Sequence, residues 1–164
     1  SEPSPQWHES LKKNRKNTEI ITECIWKESG KQMDFFMSDV GEASTLKDFV
    51  DSDLASMPEN TKLRKKGGKT ISVETISLND IVKNNFNGIC PSYISIDTEG
   101  SEYEILKPFD LDKFRPKLFT IEHNHTKNES KIDDLLIPKG YVRIFRELTA
   151  FDAWYIPAEI LKAD

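Results

Sequence analysis

The chain alternates between a helical and an extended spacing of its apolar residues, and each change of spacing marks an element. Ser4 to Asn14 carries Trp7 and Leu11 four residues apart, with Pro5 where a first-turn proline is tolerated and Ser4 as a candidate cap, which predicts a helix. EIITECIW at 19–26 is rich in β-branched and aromatic residues and predicts a strand; KQMDFFM at 31–37 predicts another after the Ser29-Gly30 turn. KTISVETI at 69–76 alternates as a strand, and SLNDIVKNN after it opens on a capping serine and reads as a short helix. Between these, residues 38–68 hold no period; polar residues, a proline and the Gly67-Gly68 pair suggest an irregular segment with a short helix near 45–52. So long a stretch inside a compact domain is usually functional or mobile.

The second half is more regular. SYISI at 92–96 and KLFTIEHN at 117–124 read as buried strands. A helix starts at Glu102–Leu106 and continues into DLDKF after Pro108, and ESKIDDLLIPKG at 129–140 forms another, with Ile132, Leu135 and Leu136 on one face and a Gly140 stop. YVRIFREL and TAFDAWYIP close the chain as two antiparallel strands. Strand–helix alternation implies a mainly parallel sheet with helices on its faces, and in such sheets ligands bind beyond the carboxyl ends of the strands. Both central strands end in polar clusters there, Asp97-Thr98-Glu99 on one and Glu122-His123-Asn124-His125 on the other.

Composition narrows the class. A length of 164 residues allows one domain with a real core, taken as 1–164, and 37% hydrophobic against 31% charged residues describes a soluble globular protein. No apolar run approaches the roughly 20 residues that span a bilayer. The opening SEPSPQWHES has no apolar signal region, so a cytoplasmic location without membrane attachment is expected. Cys24 and Cys90 fit neither a disulfide framework nor a metal spacing and read as buried thiols. A net charge of −5 argues against nucleic acid as a partner, and the basic run LRKKGGK at 63–69 reads as a solvated loop rather than a phosphate site.

The acids at the first strand exit are the strongest candidate chemistry. A turn needs one capping acid, and here Asp97 and Glu99 stand one residue apart before Gly100, which permits close backbone approach. Two carboxylates on one rim bind a divalent cation through oxygen, or one serves as base for a hydroxyl. Glu122, His123 and His125 at the neighbouring exit add groups that move protons or bind metal, with His123 favoured over His125 because it lies closer to the rigid strand. Glu102 is read as a helix-start acid paired with the dipole.

With these residues in view, IDTEGSEYEIL, PKLFTIEHN, ISVETISLNDIV upstream and FDAWYI near the end together resemble the FkbM-type methyltransferases, which are S-adenosylmethionine-dependent enzymes with a Rossmann-like sheet. Their acidic motif resembles Asp97-Thr98-Glu99-Gly100-Ser101-Glu102, their strand ending in Glu and His resembles Ile121-Glu122-His123, and their Glu-Pro strand exit is similar to Glu2-Pro3. The resemblance implies an α/β Rossmann-like methyltransferase fold with an antiparallel C-terminal strand pair. It also implies methyl transfer from S-adenosylmethionine by in-line displacement, to a hydroxyl of a sugar or small metabolite. Glu2 would accept the ribose hydroxyls, Cys24 and Ile25 would lie near the adenine, and Asp97, Glu99, Glu122 or His123 would serve catalysis; a divalent metal is not favoured. The family's first strand and glycine loop have no counterpart here. The strand at 92–96 is therefore expected to have an unpaired edge, separated from 19–26, with a homodimer contact over that edge, a strand rearrangement or poor solubility as the expected consequence. A non-catalytic fragment acting as an oligomeric or nucleotide-binding module is the alternative.

Overall fold

The structure is a computed structural model and describes residues 1–162. It holds two four-stranded mixed sheets rather than one mainly parallel sheet. In the first, the ten-residue β4 (Gly68–Ser77) lies between β1 (Cys24–Trp26), which it meets in parallel from Cys24↔Thr75 to Trp26↔Ser77, and β2 (Gln32–Ser38), which it meets antiparallel from Gln32↔Glu74 to Ser38↔Gly68. The short β3 (Thr45–Leu46) adds to the outer side of β2. Thr75 explains this order: its N–H donates to Lys31 O and its hydroxyl to Glu28 O, while Gly30 N–H donates to Thr75 O, so the 28–31 turn is pinned across β4.

In the second sheet β5 (Tyr93–Ile96) and β6 (Leu118–Glu122) are parallel, and β8 (Asp152–Pro157) is antiparallel to both β6 and β7 (Tyr141–Ile144), in the order β5-β6-β8-β7. The antiparallel terminal pair is as expected. Among the described residues β5 ends its sheet and β1 ends the other. β5 buries Ile94 and Ile96 but leaves Tyr93 and Ser95 exposed, so only one face of it meets the core.

Several elements differ from the periodicity reading. The strand expected over 19–26 is regular only at 24–26, because the Ile21 carbonyl instead accepts the Glu2 N–H at 2.9 Å. Helix α1 (Pro5–Asn14) has no side-chain cap from Ser4, whose own N–H goes to Glu2 Oε1. The 38–68 segment has short 3-10 turns at Gly41–Ala43 and Lys47–Phe49 and its α-helix later, α2 (Pro58–Arg64). Helix α3 (Leu78–Asn85) is capped as expected, with Ser77 Oγ accepting from Asp80 N–H. Helix α4 (Glu102–Leu106) stops short, since Pro108 has no N–H to continue the ladder, and 110–114 turns instead, burying Leu111 and Phe114. Helix α5 (Asn128–Leu136) runs into one 3-10 turn and ends on Gly140 at φ +81°.

One hydrophobic cluster joins both sheets: Trp26, Leu46 and Val73 from the first, Ile94, Phe119, Ile121 and Tyr155 from the second, with Val82, Ile105 and Ile132 from the helices. Each fully buried side chain of this size contributes about 1.5–3 kcal/mol before chain entropy is set against it. The carboxyl ends of β1, β5 and β6 are thereby held as one rigid rim. No helix among the described residues is long and apolar enough to cross a membrane.

Candidate active site

At that rim lies a cavity of about 490 Å³. Trp7 and Leu11 of α1, Cys24 and Ile25 of β1, Phe35 of β2 and Leu46 of β3 supply its apolar walls. Glu2, Glu42, Asp97 and Glu99 bring four carboxylates to its lining, which among the described residues includes no lysine, arginine or histidine side chain. Such a cavity suits a ligand of metabolite size, part apolar and part cationic.

Glu2 lines the cavity, and its Oε1 accepts the Ser4 N–H at 2.8 Å, which orients the carboxylate at the start of α1. The Glu2 carbonyl is held by His8 Nε2 at 2.7 Å. Cys24 is buried, and desolvation pushes its thiol up to about 12, with the Glu2 carboxylate adding to the effect. It is a neutral wall and a poor nucleophile. Cys90 is half-buried rather than buried.

The Asp97–Ser101 turn is built by its own residues. Glu102, 1% exposed, points Oε1 back into the turn and accepts from Thr98 N–H (3.0 Å), Thr98 Oγ1 (2.9 Å) and Gly100 N–H (2.9 Å). It is a strut for the turn, not a free partner of the helix dipole. Glu99 takes a left-handed φ of +59°, and Gly100 at φ +119° lies where a Cβ would run into the Ser52 side chain. Backbone strain of this kind persists only where the surroundings over-determine it.

The turn brings Asp97 and Glu99 to Glu122 at the end of β6; one carboxylate oxygen of each lies within 4.8 Å of the others. Burial, then the charge of Asp97, raises the Glu122 carboxyl to about 9, and its Oε2 is buried without a hydrogen-bond partner among the described residues. Desolvation raises Asp97, with Asp152 adding to the effect and a hydrogen bond from Glu122 opposing it. Glu99 is raised to about 7 by desolvation, even though Arg64 beside it pulls the other way. Carboxyls this close do not all ionise together readily, and Asp97 and Glu122 are both raised.

The histidines stand elsewhere. His123, 2% exposed, accepts the His125 N–H at Nδ1 (3.1 Å) and faces Arg143 Nη2 at Nε2 (3.2 Å). A neutral ring accepts at one nitrogen and carries its proton on the other, so only one of these two contacts is a hydrogen bond; burial lowers the basicity of the ring, with Glu129 opposing and Arg143 adding to the effect. His125 is exposed at φ +53° with its ring against Phe151. Ligand atoms of His123, His125 and Glu129 also lie within 4.8 Å of one another, but Arg143 Nη1 already holds Glu129 Oε1 at 2.8 Å. In the acidic triad Arg64 Nη2 likewise holds Glu99 Oε2 at 2.9 Å. In each cluster, then, one carboxylate already has a guanidinium partner that a cation would compete with.

Arg64, Asp53 and Asn60 are the site residues that the sequence did not reveal. Arg64 is 4% exposed although it lies in the basic run read as a solvated loop. A charge run carries no mark of which member turns inward; the only signal available was the length of the irregular segment around it.

With the rim and cavity described, the comparisons with known proteins are informative. The sequence profile of the methyltransferase FkbM domain matches residues 2–153, and the chain belongs to that family. It is accordingly a methyltransferase. No curated protein and no solved structure matches it.

Proposed function

We propose that the protein transfers a methyl group from S-adenosylmethionine to a hydroxyl oxygen of a sugar or other small metabolite. The observation that carries this reading is the chemistry of the cavity: four carboxylates, one of them held by Arg64, and no basic side chain among the described lining residues, around about 490 Å³. A sulfonium cation is stabilised there, whereas a nucleotide phosphate meets no lysine, arginine or histidine. The bound cofactor would supply an activated methyl group. The rest is work for this chain's own residues. Glu2 offers a fixed carboxylate to two ribose hydroxyls, and Ile25 and the neutral Cys24 thiol form the wall against the adenine. Cys24, protonated up to about 12, does not compete for the methyl group.

Asp97 is the group that takes the acceptor's proton, because it lines the cavity and borders Glu122. Burial raises both members of the pair, so the site holds a proton more readily than a free carboxylate does, which suits a group that takes one from a hydroxyl. Glu99 is read as a shaping residue of the turn. His123, buried between the His125 N–H and Arg143, is read as an anchor of the β6 exit rather than a base. The outer edges of β1 and β5 fit a homodimer contact by strand pairing, which sedimentation at two protein concentrations tests.

Calorimetric titration of S-adenosylhomocysteine into the 164-residue chain is the test. Binding in the micromolar range is expected, and weakening by Glu2→Ala. An empty thermogram at protein concentrations near 100 times that range would falsify the cofactor reading.

A further inference from the structure

We propose that Arg64 is a positioning residue that staples the two walls of the cavity to each other and so sets its width. The proposal rests on the methyltransferase reading only for the identity of the ligand. One wall is the 41–46 stretch, which lines the cavity with Gly41, Glu42, Ser44 and Leu46; the facing wall is the acidic turn with Asp97, Thr98, Glu99 and Ser101. A single guanidinium bonds to both. Arg64 Nε donates to Ala43 O at 3.1 Å, between lining residues 42 and 44, and Nη2 donates to Glu99 Oε2 at 2.9 Å.

The remaining contacts fix the fork itself. Nη1 donates to Val50 O at 3.1 Å and to Asp53 Oδ1 at 2.7 Å, and Asp53 is 2% exposed. Asn60 holds the other Asp53 oxygen at 2.8 Å. Two more links cross the same gap: Thr45 Oγ1 donates to Glu99 O at 3.1 Å, and the Ser52 side chain lies against Gly100. Glu99, which Arg64 grips, is the left-handed residue of the turn, so the guanidinium sits where the backbone most needs external restraint. A planar fork with fixed donor directions serves four acceptors at once. A lysine ammonium on the same helix satisfies only some of them and cannot reproduce the bridge.

The test compares Arg64→Lys and Arg64→Met with the wild-type chain by amide hydrogen exchange in the absence of ligand and by S-adenosylhomocysteine calorimetry. In Arg64→Lys, exchange at 98–101 and at 42–46 is expected to rise about tenfold or more, with the protection of β6 and β8 unchanged. Ligand affinity is expected to fall about tenfold to a hundredfold, as for other lost charge-assisted bonds. Faster exchange confined to 42–64, with affinity within about twofold of wild type, overturns the proposal, because Arg64 then anchors only its own segment. If Arg64→Met does not fold, Arg64→Lys and Glu99→Gln decide the matter. A wild-type chain that binds no S-adenosylhomocysteine defeats the cofactor reading, yet the exchange measurement still decides the role of Arg64.

Discussion

Strand β6 ends by sending neighbouring residues into two opposite environments. Glu122 joins Asp97 and Glu99, where carboxyls crowd one another and their affinity for protons rises. His123 joins Glu129, Asp133, Arg143 and Arg146, where each carboxylate has a guanidinium partner and both acids are held below their usual range. Strand geometry makes the split unavoidable, since successive side chains leave opposite faces. The difference separates two uses of charge: paired charges in the second cluster fasten α5 to β7, while in the first only Glu99 has a guanidinium partner, and burial raises the affinity of all three acids for protons.

The largest expected effect tests that division. Asp97→Asn should lower methyl transfer by about 100- to 10,000-fold while leaving the melting temperature near that of wild type. His123→Asn should leave turnover within about threefold of wild type once the variant is folded. A loss with His123→Asn as deep as that with Asp97→Asn would return the base to the histidine cluster.

Arg143→Leu comes next. It strips Glu129 and Asp133 of a buried partner, and removing one side of a buried ion pair costs about 3 kcal/mol. For a chain of this length that lowers Tm by roughly 6–12 °C, readable by calorimetry. Turnover per folded molecule should change little.

Glu122→Gln sharpens the comparison through pH. Below pH about 4 the folded and unfolded chains both hold this proton, so it adds nothing to stability. As pH rises the unfolded carboxyl ionises, while the folded one resists until about 9, so wild-type stability is lost across that interval. The variant should therefore match wild type near pH 4 and melt progressively higher as pH rises toward 8.5. A Tm difference that does not vary with pH would mean that Glu122 titrates normally.

The smallest effect calibrates the others. Lys139 and Asp112 form a 2.6 Å pair, but their side chains are 42% and 78% exposed. Lys139→Ala should cost under about 0.5 kcal/mol, against several for Arg143, because water already screens both charges.

Much of the fold's local content was legible in the chain. The apolar repeats located α1, α3 and α5 and strands β2, β4, β5 and β6 near their observed places, since helix and strand spacing follow from backbone geometry alone. The acidic exit at Asp97-Thr98-Glu99-Gly100 and the family were legible as well, because a run of residue types is itself the signal. Sheet assembly was not: strand–helix alternation suggested one mainly parallel sheet, while the Thr75 bonds to the 28–31 turn fold β2 back antiparallel and give two mixed sheets.

The ionic partners were hidden for a similar reason. Nothing local distinguishes Arg64, buried with four acceptors, from the lysines that follow it at 65 and 66, and nothing in HNH at 123–125 shows that the first histidine faces an arginine 20 residues away. Local geometry and side-chain chemistry are properties of short stretches, so the sequence by itself determined which groups stand at the strand exits. Which of them hold protons, and which are neutralised by a guanidinium, depends on desolvation and on distances across the fold, and only the tertiary structure decides those.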